Sequence, residues 1–113
     1  MQGRSEDAAE RLVEESRQLE QAGCFSLVVE GVASETAAAI TRAVSIPTIG
    51  IGAGVEVDGQ VLVFHDLAGL QREVKPKFVR TVTDGYGMLL KAVEDFDRAV
   101  KDGSFPAGDE TYE

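Results

Sequence analysis

An α/β fold built on a short parallel sheet is what this 113-residue sequence predicts, and three observations carry that reading. Three runs, Cys24–Glu30 (C-F-S-L-V-V-E), Thr48–Ile51 (T-I-G-I) and Gln60–Asp66 (Q-V-L-V-F-H-D), are near-continuously apolar and close on polar or glycine residues. Runs of this kind mark strands covered on both faces. The first two are separated by a helical segment, which makes a β-α-β unit, and such units place their chemistry at the C-terminal strand ends. Glu30, Gly52–Gly54 and His65–Asp66 would then gather at one rim.

Taken in order, the chain starts with a polar lead-in, Met1–Arg4. Ser5 is a good N-cap, and Glu6 and Asp7 follow it in the first turn, where acidic groups oppose the positive end of the helix dipole. Ala8, Ala9, Leu12, Val13, Ser16 and Leu19 recur at helical spacing, and Gly23 supplies the stop. In the strand Cys24–Glu30, Phe25, Leu27 and Val29 point to a bulky, helix-packed side; Cys24, Ser26, Val28 and Glu30 point to the other. Ser34 is expected to cap a second helix running from Glu35 to about Val44, ended by Ser45-Ile46-Pro47 because the residue before proline is pushed out of the α region.

The strand Thr48–Ile51 is expected to repeat the pattern, with Ile49 and Ile51 on the bulky side. A third strand does so with Leu62 and Phe64 opposite Val61, Val63 and His65. Strands with one bulky and one small side fit a section of barrel wall. The link Ala53–Gly59 is shorter than a usual parallel crossover, so the last pair is either adjacent through a tight loop in a barrel or antiparallel. From Lys77 the chain is expected to turn helical, with Phe78, Val79 and Val82 on a short face. After Gly85 and Gly87 a clear stripe follows, Leu89, Ala92, Val93, Phe96 and Val100. Gly103 stops it, Phe105-Pro106 pins the end, and the tail 104–113 is expected to be mobile.

The length allows one domain at most, and 43% hydrophobic with 27% charged residues is an ordinary globular composition. No apolar run approaches the roughly 20 residues of a membrane span, and the polar start is no signal peptide, so a cytoplasmic location is the expectation. The net charge of −9 argues against nucleic-acid or anionic-membrane partners. Lone Cys24 offers no internal disulfide and no Cys/His cluster exists for zinc, so Cys24 reads as a small core residue.

The glycines at 50, 52 and 54 do not make a dinucleotide fingerprint. Val55 or Val57 stands at the last glycine position, and no helix follows to hold a pyrophosphate. A strand kept thin for the approach of substrate or a neighbour fits better. Glu30 is either a catalytic carboxylate or a rim residue in a salt bridge. His65-Asp66 is either an acid–base pair or, the blander account, a histidine hydrogen-bonded at a strand terminus.

These residues also carry a resemblance. L-V-V-E-G-V (27–32), S-I-P-T-I-G-I-G-A-G (45–54), D-G-Q-V-L-V-F-H-D (58–66) and P-K-F-V (76–79) stand in the order and spacing of the ketopantoate (3-methyl-2-oxobutanoate) hydroxymethyltransferases of pantothenate biosynthesis. Q-G-R-S-E-D-A-A (2–9) and F-P (105–106) fit as well. The resemblance implies the C-terminal part of a (βα)₈ TIM barrel of the phosphoenolpyruvate/pyruvate type, from helix five to strand eight, as a single partial domain. It also implies that the last two strands are barrel neighbours.

The implied reaction is hydroxymethyl transfer from methylenetetrahydrofolate or an analogue to 3-methyl-2-oxobutanoate, giving 2-dehydropantoate, with bound Mg²⁺ and a homo-oligomer in the full-length family. By the same resemblance Glu30 matches the catalytic base. The metal ligands belong to earlier strands, so this chain is expected to supply no metal or cofactor ligand and to be inactive alone. Met1 stands where the family chain runs on, which suggests a fragment, a misplaced start or a split gene. Ala33 replaces a common proline, and D-E-T-Y (109–112) stands where a histidine is usual. The alternatives to the enzymatic reading are a non-catalytic half-barrel that pairs with itself or a partner barrel, and a phosphate-binding module using Gly50–Gly54.

Overall fold

The computed structural model describes residues 1–112, and its first element, α1 (Glu6–Gln21), begins where the capping signal places it. The Ser5 hydroxyl accepts from the Ala8 N–H at 3.3 Å, and Glu6 and Asp7 occupy the first turn. The order continues β1 (Leu27–Glu30), α2 (Ser34–Ala43), β2 (Thr48–Ile51), β3 (Gly59–Gln60), α3 (Phe64–Leu67) and α4 (Gly85–Asp102), with a short 3₁₀ turn at Gly108–Glu110. No helix is long and apolar enough to cross a membrane among the described residues. Packing divides the chain into two compact units, Met1–Val63 with Pro76–Val79, and Phe64–Lys75 with the residues from Arg80 on.

The first unit holds an open three-stranded parallel sheet in the order β1-β2-β3. Both pairings are parallel, so the short link between β2 and β3 is a tight loop and not a hairpin. Leu27, Val29, Val32, Ala37, Ile40 and Ala53 form the core, with Leu12, Val13 and the half-buried Cys24 packed against it. Three expectations fail here. β1 starts at Leu27, not Cys24, which leaves Phe25 87% exposed. The N-cap of α2 is Ala33 without a side-chain cap, and Ser34 lies inside the helix.

The third correction is one of parity. Register pairs Leu27 with Thr48, Val29 with Gly50, Val28 with Ile49 and Glu30 with Ile51. Partners across a ladder share a face, so Thr48 and Gly50, not Ile49 and Ile51, lie on the helix-packed side with Leu27 and Val29. Ile49 and Ile51 share the opposite side with Glu30. Both strands alternate, but nothing in one strand's alternation states its phase against the other, and a shift of one residue exchanges the faces.

Thr48 is fully buried and holds the start of β2. Its N–H donates to Asp58 Oδ2 at 2.8 Å and its hydroxyl donates to the same oxygen at 3.1 Å. The Asp58 N–H returns a bond to Thr48 Oγ1 at 3.3 Å, and Thr41 Oγ1 lies 2.9 Å away. Thr41 is also 2.9 Å from the Ala37 carbonyl, and its one proton goes to one of the two acceptors. This cluster sits at the N-terminal end of the strands, away from the rim.

The expected third strand, Gln60–Asp66, shortens to Gly59–Gln60, and Phe64–Leu67 forms α3 instead. Val61 N–H still donates to the Gly50 carbonyl at 3.0 Å. Gly52, just past the end of β2, takes φ +64°, and the ladder between β2 and β3 ends at Gly50 and Gln60. The helix expected from Lys77 begins only at Gly85, because Asp84 is its cap: the carboxylate accepts from Gly87 N–H at 3.0 Å. Gly103 ends α4 at φ 79° as expected, and Ser104 and Phe105 N–H both donate to the Ala99 carbonyl. Phe105 folds back on Phe96 with ring centroids 5.0 Å apart. The α4 stripe is open: Leu89, Val93, Phe96 and Val100 are each about half exposed or more. The tail from residue 104 carries the 3₁₀ turn, and its last residue lies outside the described ones.

Candidate functional site

Glu30 is the last residue of β1 and is exposed, on the face opposite Leu27 and Val29. Its backbone is fixed on both sides. Gly31 follows at φ +62°, its N–H donating to the Ile51 carbonyl at 2.9 Å. On the outer edge, Gln2 N–H donates to the Gly31 carbonyl at 2.8 Å and the Gln2 carbonyl accepts from Ala33 N–H at 3.0 Å, a parallel bridge that places Gln2 beside Val32. A carboxylate held at a strand end by a turn on one side and a bridge on the other is aimed with little backbone freedom.

Alternation puts Val28 and Glu30 on the helix-free face, and register adds Ile49 and Ile51 to it. Val28 is 64% exposed and Ile49 half-buried, so the carboxylate stands above an apolar surface. β1 is an edge strand, and a groove of about 460 Å³ follows it, lined among others by Gln2, Leu12, Leu19, Val28, Glu30 and Ile40. Among the described residues the ion pairs are Arg11–Glu15, Arg17–Glu14, Lys91–Asp95, Arg98–Asp95 and Lys101–Asp97. Glu30 is in none of these pairs among the described residues.

The other rim candidates are not brought to Glu30's task. Gly52 and Gly54 both have positive φ, and their missing side chains leave space already occupied: Phe78's ring lies against Gly52, and a Cβ on Gly54 would stand 2.6 Å from Ser34 Cβ. The thinness expected of this strand is therefore used by the chain's own neighbours. No helix N-terminus follows, so the phosphate-binding alternative loses its cradle. His65 and Asp66 sit on α3, not on a strand. Successive helix residues point about 100° apart; His65 is exposed with its ring edge-on to Phe64, and the Asp66 carbonyl accepts from Gly69 N–H.

No group of three His, Cys, Asp or Glu side chains is arranged to hold a metal ion among the described residues. A magnesium ion asks for near-octahedral oxygen donors, and the residues present do not fit it. Sequence reasoning missed the Gln2 bridge and the Thr48–Asp58 cluster. The bridge has no local signature; the cluster was readable only as a polar residue opening an apolar strand.

Comparison with known proteins bears on what this arrangement is. A family model described as ketopantoate hydroxymethyltransferase matches residues 1–108. A 3-methyl-2-oxobutanoate hydroxymethyltransferase of Methylobacterium sp. (strain 4-46) is 54% identical over 112 residues, 99% of this chain and 39% of that protein. Similar proteins of that name in Bradyrhizobium diazoefficiens and Aliarcobacter butzleri are 46% and 48% identical, with 38% and 42% of their lengths covered. The chain thus spans about 40% of the length of the curated relatives it matches.

Proposed function

The chain belongs to the ketopantoate hydroxymethyltransferase family, and from that premise we propose that it supplies the general base for hydroxymethyl transfer to 3-methyl-2-oxobutanoate, with Glu30 as that base. The observation that carries the reading is the place of Glu30: at the C-terminal end of a parallel strand, on the helix-free face, and in no ion pair among the described residues. Active sites of parallel α/β barrels are built at those strand ends.

Glu30 removes the proton from the carbon beside the keto group, and the electron pair left behind bonds to the one-carbon unit of a methylenetetrahydrofolate-type donor. One water supplies the hydroxyl as the carbon–nitrogen bonds break, and tetrahydrofolate leaves with 2-dehydropantoate as the product. Proton transfer of this kind needs the base within hydrogen-bond reach of the proton, and a positioned carboxylate contributes roughly 10²–10⁴-fold. Val28 and Ile49 on the same face offer apolar contact to the branched end of the oxo-acid. The magnesium ion expected in the family is not held by these residues; its ligands, and the remaining wall of the barrel, come from outside them. On this reading the chain alone is inactive.

The test is co-expression with the N-terminal part of a relative, followed by two assays. Hydroxymethyl transfer should appear in the assembled protein, and the oxo-acid should exchange its carbon-bound proton with deuterated water in the absence of donor. Glu30→Gln should lower both by about 10²-fold or more. Near-normal exchange in Glu30→Gln would remove Glu30 from the role, whatever the transfer assay showed.

A second reading, a non-catalytic half-barrel that self-associates, is favoured by the outer edge of β1, which no strand pairs before the Gln2 bridge at Val32, since unpaired strand edges recruit other strands. A stable dimer that does not exchange the oxo-acid proton after the N-terminal part is added would establish it.

A further inference from the structure

The chain carries a net charge of −9, yet residues 72–80, R-E-V-K-P-K-F-V-R, hold four of its 11 cations against a single carboxylate. Two of the four, Arg72 and Lys75, line a cavity of about 480 Å³ in the second compact unit, with Gln71, Thr81, Thr83 and Asp84 around them. On α1 and α4 each cation (Arg11, Arg17, Lys91, Arg98 and Lys101) finds a carboxylate three or four residues away. Arg72 and Lys75 are in none of those pairs.

They are oriented by other means. The Arg72 guanidinium carbon lies 4.0 Å from the centroid of the Tyr86 ring. An aromatic face attracts the guanidinium without supplying a hydrogen-bond acceptor that neutralises its charge. Lys75 Nζ donates to Thr81 Oγ1 at 2.6 Å, which occupies one of three protons and fixes the head. The Thr81 hydroxyl is itself held by the Asp66 carbonyl at 3.2 Å. The one carboxylate in the lining, Asp84, accepts from Gly87 N–H at the start of α4. Two cations thus face a cavity, held in place by an aromatic ring and a hydroxyl, which orient a charge without neutralising it.

We propose that this cavity is an oxyanion subsite that binds the carboxylate or phosphate end of a small ligand, with Arg72 as the bidentate donor and Lys75 as the second point of charge. It goes beyond the reading of Glu30 and does not depend on it. Charge-assisted bonds from a fork and an ammonium are the stronger class of hydrogen bond, and a chain so acidic otherwise repels free anions, so a local positive site decides where one binds.

The 113-residue chain can be titrated directly, with inorganic phosphate in one arm and citrate in the other, following backbone amides and the Tyr86 ring by NMR. Saturable shifts confined to Arg72, Lys75, Thr81, Thr83 and Tyr86 are expected. Arg72→Gln and Lys75→Gln should each weaken binding about tenfold, Lys75→Arg should restore most of it, and added chloride should compete. Tighter binding of phosphate assigns a phosphoryl ligand, and tighter binding of citrate a carboxylate one. Glu30→Gln should titrate like the parent chain, which separates this site from the catalytic reading. Non-saturating shifts spread over the cations of α1 and α4, or saturable shifts that persist in the Arg72→Gln Lys75→Gln double variant, overturn the proposal.

Discussion

Gly52 shows how much one hydrogen atom decides. Its φ of +64° lies where a side chain is strained, and the Phe78 ring fills the space a Cβ would need. Both penalties act on Gly52→Ala, but by different routes: backbone strain costs roughly 1–2 kcal/mol, and the clash adds its own cost of about 1–3 kcal/mol. We expect Gly52→Ala to lose about 2–5 kcal/mol in denaturant unfolding. In a Phe78→Ala background the further loss should shrink toward the strain alone, and an unchanged loss there would mean that the ring is not the obstacle. The glycines of this turn were legible as a need for thinness; what needed the space was not, because Phe78 lies more than twenty residues away in sequence.

At the scale of elements, two tethers hold the sheet to its helices. The first is Thr48, whose hydroxyl is buried between Asp58 and Thr41. Thr48→Val keeps the shape and leaves those partners without it, so unfolding free energy should fall by about 1–3 kcal/mol, with no effect expected on the role proposed for Glu30, which ends β1 at the opposite end of the strands. The second is Glu20, near the end of α1, which accepts from Ser45 N–H at 2.8 Å and from the Ser45 hydroxyl just before β2.

Those two bonds, the hydroxyl first, hold the Glu20 carboxyl below its ordinary value of 4.5. A lowered carboxylate pKa stabilises the fold above the unfolded value and loses that contribution as pH falls through the folded one. Glu20→Gln should therefore melt lower than the parent chain at neutral pH, and the gap should close as the solution is acidified below about 4.5, the unfolded value. A gap that stays constant with pH would show that the charge on Glu20 contributes nothing.

Over the whole molecule, exposed apolar surface and net charge act against each other. Val28 on the open sheet face and Leu89, Val93 and Phe96 on α4 are at least half exposed, and such surfaces associate. A charge of −9 opposes that association, but only within a Debye length of about 8 Å at physiological salt and about 3 Å at 1 M. Sedimentation of the chain should show association that grows with salt, and addition of the N-terminal part of a relative should reduce it by covering the β1 edge. Association that weakens as salt rises would show that ion pairs, not apolar faces, bring copies together.

The sequence alone determined what is local: α1 with its Ser5 cap, the strand Thr48–Ile51, the Gly103 stop, the α/β class, and through its motif blocks the family. Tertiary structure decided what is relative. Only pairing fixes the phase of one alternating strand against another, and so which isoleucines share a face with Glu30. Only the extent of the ladder decides that the third strand stops at Gln60 and that Phe64–Leu67 is a helix. A strand's hydrogen bonds are made by its neighbour, and its own residues do not say where that neighbour stops.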